Sequence, residues 1–220
     1  MTVIPPTPLV LFDMDGTLLD TRHDIARAAN GARHELGLPV MTIDEVVRAV
    51  GDGVDLFVSR VTYPKTDERF AAARKVFLRH YAENVIGETT PYDGIIPMLD
   101  KLIDLNIPLA VVSNKPEKLV DELVRHFGWQ RYFRTWLGGD SAARAKPAQD
   151  PLLLAMQQSG VAASHPLIMV GDGDQDILAA KAMGCKAVWC SWGFNSQPTN
   201  DYPSHRVDHP EQVLLTITNY

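Results

Sequence analysis

Leu9-Val-Leu-Phe-Asp-Met-Asp15-Gly-Thr-Leu-Leu-Asp20 is the stretch on which the reading of the fold turns. Four apolar residues suited to a strand run straight into two carboxylates one residue apart, and Gly16 then supplies a turn. A strand with no polar residue reads as buried on both faces, as in a parallel sheet covered by helices. Asp13 and Asp15 then project from its carboxy-terminal end. Unpaired buried carboxylates are costly, so stability alone does not account for them. A hard divalent cation, which selects carboxylate and carbonyl oxygens, would offset their repulsion. A carboxylate held beside such an ion is also a competent nucleophile toward phosphorus.

Similar apolar runs recur at Leu109–Val112, Leu167–Val170 and Ala187–Cys190, with a weaker one at Phe133–Leu137. Helical patterns alternate with them at Asp93–Leu105, Pro116–Phe127, Asp150–Ser159 and Asp174–Met183, the last three stopped by Gly128, Gly160 and Gly184. The alternation predicts an α/β fold with a doubly wound parallel sheet. Residues 21–90 break the pattern and show helical periodicity only. Thr21-x-x-Asp24 and Thr42-x-x-Glu45 read as capping boxes, and further helices are expected over Val54–Val61 and Asp67–Val85. The expected organisation is a core of residues 1–20 and 91–220 carrying an inserted all-helical cap, 21–90.

The 220 residues carry a net charge of −6 with both signs interspersed, which argues against a nucleic-acid partner. No window approaches about eighteen consecutive apolar residues, so no membrane span is expected. The start, Met1-Thr-Val-Ile-Pro-Pro-Thr-Pro8, is read as carrying no leader. Cys185 and Cys190 lack metal-site spacing and read as free thiols in a reducing compartment, with the cytoplasm the expected location.

Three further segments fall at expected strand ends, the edge where open α/β sheets bind ligands. In Val111-Val112-Ser113-Asn114-Lys115-Pro116, Ser113 reads either as a helix N-cap or, with the backbone N–H groups beside it, as a holder of a phosphoryl oxygen. Lys146 precedes Pro147 and is therefore held extended; it reads either as a solvated loop lysine or as the fixed cation that a site of several carboxylates and a phosphate needs, and Arg144 nearby reads as surface. Gly171-Asp172-Gly173-Asp174-Gln175-Asp176 opens like a calcium loop, but Ile177 and Met183 stand where that loop needs glycine and glutamate. Asp172 reads as a metal ligand, Asp176, one helical turn on, as a ligand of the metal or its waters, and Asp174 as a helix-start acid. Gly51-Asp52-Gly53 reads as a cap turn, either facing the site or simply breaking a helix. Arg48 beside it reads as a surface arginine or as a partner for a substrate carboxylate. His205 and His209 have metal-like spacing but sit in a Pro-flanked tail, and no metal role is expected of them.

Asp13-Met-Asp-Gly-Thr17, Ser113 after its strand, Lys146-Pro147 and Gly171-Asp172-x-x-x-Asp176 together resemble, in order, the four motifs of the haloacid dehalogenase superfamily. The resemblance implies a Rossmann-like core with a helical cap after the first motif. It implies Asp13 as a nucleophile that forms an aspartyl-phosphate and Asp15 as general acid, then base. It implies Ser113, Asn114 and Lys146 as phosphate contacts, and Asp13, Asp15, Asp172 and Asp176 around Mg²⁺, with the Met14 carbonyl completing the protein's ligands. Gly173 stands where many members carry serine. Val50–Leu56, Lys146–Leu154, Asp176–Cys185 and Trp192-Gly-Phe-Asn195 are similar, more finely, to phosphoglycolate phosphatases. The implied function is a Mg²⁺-dependent phosphomonoesterase acting on a small phosphorylated metabolite, 2-phosphoglycolate first, with Arg48, Gly51, Asp52 and Gly53 setting specificity. N-acetylmuramate 6-phosphate, a sugar phosphate or pyrophosphate are the alternative substrates, and a sugar phosphomutase is the rival activity. A monomer or weak homodimer is expected.

Overall fold

The computed structural model describes residues 7–195, 197–199 and 202–218; residues 1–6, on which the reading of the N-terminus rests, lie outside these. In chain order the elements begin with β1 (Leu9–Phe12), β2 (Leu19–Asp20), α1 (Arg22–Glu35), α2 (Ile43–Val47), α3 (Val54–Val61), α4 (Phe70–Glu83) and β3 (Thr90–Pro91). They continue with α5 (Ile95–Asp104), β4 (Leu109–Val112), α6 (Glu117–His126), β5 (Thr135–Leu137), α7 (Asp150–Gln158) and β6 (Leu167–Gly171). The last are α8 (Asp174–Met183), β7 (Lys186–Cys190), β8 (His205–Val207) and α9 (Pro210–Thr218).

The main sheet runs β5-β4-β1-β6-β7-β8, and every pairing in it is parallel. Counted among themselves, its strands follow the doubly wound Rossmann order, so the expected α/β core is present. Period-2 alternation divides the core residues between two faces. Val10 and Phe12 of β1 join one apolar cluster with Leu99 and Leu102 of α5, Leu123 and Val124 of α6, and Val213 of α9. Leu9 and Leu11 join the other with Leu152 and Met156 of α7 and Ile177 and Ala180 of α8. Helices thus cover both faces, which is why the strands are apolar throughout.

Direction changes at β1: the chain moves outward through β4 and β5, then returns to place β6 on the other side. Phe12 is paired with Val111 on one side and Val170 on the other. That register makes Asp13, Ser113 and Asp172 leave the sheet at one edge, at the reversal point where such folds bind ligands.

Helices α1–α4 lie between β2 and β3, which pair antiparallel with Leu19 opposite Pro91. The capping box at Thr42 forms, with the Thr42 amide donating to Glu45 and the Glu45 amide donating to Thr42. The one expected at Thr21 does not. Thr21 Oγ1 instead donates to Asp15 Oδ1 at 2.8 Å, and buried Asp24 accepts from the amides of Glu88 and Thr89. These long-range partners replace the local cap and tie the start of the insert to its end. The expected fourth helix is shorter than its periodicity suggested. Strands β2, β3 and β8 and helix α9 add elements that the pattern did not reveal. No helix among the described residues is long and apolar enough to cross a membrane.

Candidate active site

Asp13 is the first residue past β1 and is 5 % exposed. Its Oδ1 accepts from Lys146 Nζ at 2.9 Å. The same ammonium donates to Asp176 Oδ1 at 2.6 Å and to the Val112 carbonyl at 2.5 Å, so its three donors are all used. Burial alone would lower the Lys146 ammonium, but Asp13 and Asp176 outweigh it and hold it above its ordinary value. Asn114 fixes the lysine's backbone: Asn114 Nδ2 donates to the Lys146 carbonyl at 2.8 Å, and the Lys146 amide donates to Asn114 Oδ1 at 3.0 Å. Asn114 Nδ2 also donates to the Gly51 carbonyl at 2.9 Å, which joins the insert to the core. The Asn114 side chain, expected at the phosphate, braces the Lys146 backbone, and the residue lines the cavity as well. Ser113 is buried, lines the cavity and accepts from the Lys115 amide at 3.3 Å.

Asp172 follows β6 directly. Thr17 Oγ1 donates to its Oδ1 at 3.0 Å and the Phe194 amide to its Oδ2 at 2.7 Å. Gly16, at φ +83°, and Gly193 both pass against this carboxylate; a Cβ on Gly16 would lie 2.4 Å from Asp172 Oδ2. Asp176 sits in the first turn of α8, where its Oδ2 accepts from the Gly173 amide at 3.0 Å. Asp174, the other acid of that turn, is bonded by Thr199.

Oxygens of Asp13, Asp172 and Asp176 come within 4.8 Å of one another, and all three residues are buried. Burial, reinforced by Asp13 and Asp176, pushes the Asp172 carboxyl well above its usual range; burial raises Asp176 as well, against the opposing pull of Lys146. Counted as ionised, four carboxylates in and beside this cluster face the two ammonium groups of Lys146 and Lys115. A divalent cation would balance that excess, and an all-oxygen donor set suits a hard one. The residues therefore fit a metal ion. One expected side chain stands outside this cluster. The Asp15 side chain turns to Lys115 and Thr21. The Met14 carbonyl accepts from the amides of Thr17, Leu18 and Leu19, because the turn after β1 folds back onto it.

A cavity of about 630 Å³, including space open to solvent, lies between this edge and the insert. Asp13, Asp15, Ser113, Lys115 and Asp172 line the core side. Ile25, Val50, Phe57, Phe77 and Tyr81 line the insert side together with Gly51 and Gly53. Gly51, at φ +123°, packs so closely that a Cβ there would lie 2.7 Å from Gln175 Nε2. Arg48 is exposed and Asp52 is paired with Arg60, and neither lines the cavity. Arg144 pairs with Asp150 at the surface.

Sequence reasoning passed over Lys115, whose ammonium reaches Asp15 Oδ1 at 2.8 Å and Oδ2 at 3.0 Å and also donates to the Tyr81 hydroxyl. The available signal was its position two residues after Ser113 in the same strand-to-helix turn. Thr17, Tyr81 and the Phe194 amide were passed over as well, since their partners are 155, 34 and 22 residues away.

The sequence profile of the haloacid dehalogenase-like hydrolases matches residues 10–190. A phosphoglycolate phosphatase of Chromobacterium violaceum is 37 % identical over 198 residues, 86 % of this chain and 87 % of that protein. One from Aquifex aeolicus is 35 % identical over 215 residues, 96 % and 97 % of the two chains. The crystal structure of a predicted phosphoglycolate phosphatase from Haemophilus somnus 129pt is 29 % identical and covers 96 % of this chain and 97 % of its own, with a TM-score of 0.86. With four motifs converging on one sheet edge and the profile running through all of them, this chain belongs to the haloacid dehalogenase-like hydrolases and is a phosphatase of that family.

Proposed function

We propose that the protein is a Mg²⁺-dependent phosphomonoesterase that hydrolyses 2-phosphoglycolate to glycolate and phosphate through an aspartyl-phosphate on Asp13. The observation that carries the chemistry is Asp13 itself, a buried carboxylate at the cavity floor whose Oδ1 is fixed by Lys146. When bound by Asp13, Asp172 and Asp176, Mg²⁺ would supply Lewis-acid neutralisation of the phosphoryl group. A carboxylate oxygen of Asp13 attacks phosphorus as the bond to the leaving oxygen breaks. Lys146, Ser113 and nearby backbone N–H groups take up charge on the phosphoryl oxygens. Asp15 gives its proton to the leaving oxygen, and for this it must first release the Lys115 ammonium. Asp15 then takes a proton from the water that attacks the aspartyl-phosphate, and phosphate leaves with Asp13 restored. Residues 21–90 act as the cap that excludes bulk water over the core of 1–20 and 91–220. The enzyme works in the cytoplasm, as a monomer or weak homodimer, on a small phosphorylated metabolite.

Support for the substrate comes from the relatives' names; the leaving-group side of the cavity is bounded by aromatic rings. Phe57 and Phe77 have centroids 4.9 Å apart, and Phe77 and Tyr81 5.5 Å. The test is phosphate release over 2-phosphoglycolate, N-acetylmuramate 6-phosphate, glucose phosphates and pyrophosphate. 2-Phosphoglycolate is expected to lead in kcat/KM by at least about tenfold, roughly 1.4 kcal/mol of transition-state preference. A tenfold lead by another compound overturns the substrate but keeps the chemistry. Formation of a phosphate isomer without free phosphate identifies a mutase instead.

Activity is expected to vanish in excess EDTA, to return with Mg²⁺ and to be inhibited by Ca²⁺. Calcium accepts more oxygens in looser shells and would draw both oxygens of Asp13 out of line for attack. Full turnover in chelator would remove the metal from the reaction.

A further inference from the structure

We infer that Lys115 is the specificity-determining cation of the cavity, holding a carboxylate that a short phosphomonoester carries one carbon beyond its bridging oxygen. The inference deepens the reading above and rests on it, since Asp15 is there the group that meets the bridging oxygen.

The turn after β4 fixes where Lys115 can point. Its amide donates to Ser113 Oγ, its carbonyl accepts from the Gly139 amide at 2.8 Å, and Pro116 leads into α6. The side chain is 1 % exposed, which a lysine tolerates only when its ammonium is partnered. The partners come from both halves of the molecule: the two oxygens of Asp15 on the core, and the Tyr81 hydroxyl on α4 of the insert. Nζ also stands 4.5 Å from the centroid of the Tyr81 ring.

The two buried lysines do different work. The three donors of Lys146 are directed to Asp13, Asp176 and the Val112 carbonyl, all at the phosphoryl end. Lys115 lines the cavity and is the one cation among the described residues that do so. Its ammonium lies within hydrogen-bond distance of the carboxyl assigned to the leaving oxygen, on the side facing the insert. A carboxylate one carbon further out meets that ammonium, together with the Tyr81 hydroxyl. Burial, then Asp15 and Asp24, push this phenol well above its ordinary value, so it stays a donor. The wall beyond is Phe57 and Phe77, where a carboxylate without a cation would carry a large desolvation cost. Arg48, which the sequence offered for this role, stands outside the cavity.

The test compares kcat/KM for 2-phosphoglycolate and for ethyl phosphate, which carries a methyl group in place of the carboxylate, in the Mg²⁺-loaded enzyme. Wild type is expected to prefer 2-phosphoglycolate by at least about tenfold. In Lys115→Met that ratio is expected to fall at least tenfold, and in Lys115→Arg to recover in part. Lys115→Gln, which keeps a donor for Asp15 and Tyr81, repeats the measurement should the Met variant not fold. If both esters slow equally in these variants and the preference survives, Lys115 only positions Asp15, and the inference is overturned. The wild-type arm reads the parent assignment separately: turnover of neither ester refutes the assigned substrate and this subsite with it, and equal turnover of both refutes the carboxylate subsite while the phosphatase chemistry stands.

Discussion

Asp13→Asn is expected to lose phosphate release by about 10⁴-fold or more while the protein stays folded. The amide is nearly isosteric with the carboxylate but cannot attack phosphorus, and removal of a nucleophile from a covalent mechanism costs on that scale or beyond. In transition-state terms the loss is about 5.5 kcal/mol. The fold has reason to survive. Asn retains an oxygen that can accept from Lys146 Nζ, and that ammonium keeps Asp176 and the Val112 carbonyl. One anion fewer beside Asp172 and Asp176 also relieves repulsion in the metal-free protein, so the thermal midpoint should hold or rise. Turnover above one part in a thousand, with a contaminating phosphatase excluded, removes Asp13 from the nucleophile's role.

Lys146→Met is expected to damage both chemistry and fold. Loss of one fixed charge aimed at developing negative charge lowers kcat by about 10²–10³-fold. Loss of one partner from a buried ion cluster costs about 3–5 kcal/mol. The pH dependence separates the two effects. Burial already raises Asp176, and the Lys146 charge is what opposes that rise, so the variant raises it further. An acid whose folded pKa lies above its unfolded value, about 3.9 for Asp, destabilises the fold progressively as pH climbs from the unfolded value through the folded one. With Lys146 present Asp176 is already pushed up to about 7, so the extra midpoint deficit of the metal-free variant should be small in mild acid and grow as pH rises above about 7. A deficit independent of pH would show that Lys146 acts through packing alone.

Much of this could be read in the sequence because a buried parallel strand leaves an unmistakable trace. Leu9–Phe12, Leu109–Val112 and Leu167–Val170 are apolar on both faces, and the acids that follow the first and the last are conspicuous by contrast. Where the trace fails, the cause is physical. β2 and β3 have two residues each, too few for any period, and β8 is a mostly exposed edge strand, His-Arg-Val. Thr21-x-x-Asp24 is a sound local cap in isolation, but Asp15, Glu88 and Thr89 are bonding partners that no local pattern announces. Lys115 sat in plain view in Ser113-Asn-Lys-Pro116. Its significance comes from Asp15, 100 residues away, and from Tyr81, which only the insert brings to it.

The pairing of β2 with β3 has a consequence for how such a chain can vary. Between Asp20 and Thr90 the polymer leaves the core and returns to the same point, its two ends clasped as neighbouring residues of one ladder. In statistical terms it is a closed loop whose end-to-end distance does not depend on its contents. Lengthening such a loop costs little, about 0.6 kcal/mol per doubling, and leaves the sheet's register untouched. The half of the molecule that meets the leaving group is therefore free to be rewritten in length, while Asp13 and Asp172 stay anchored at the ends of β1 and β6.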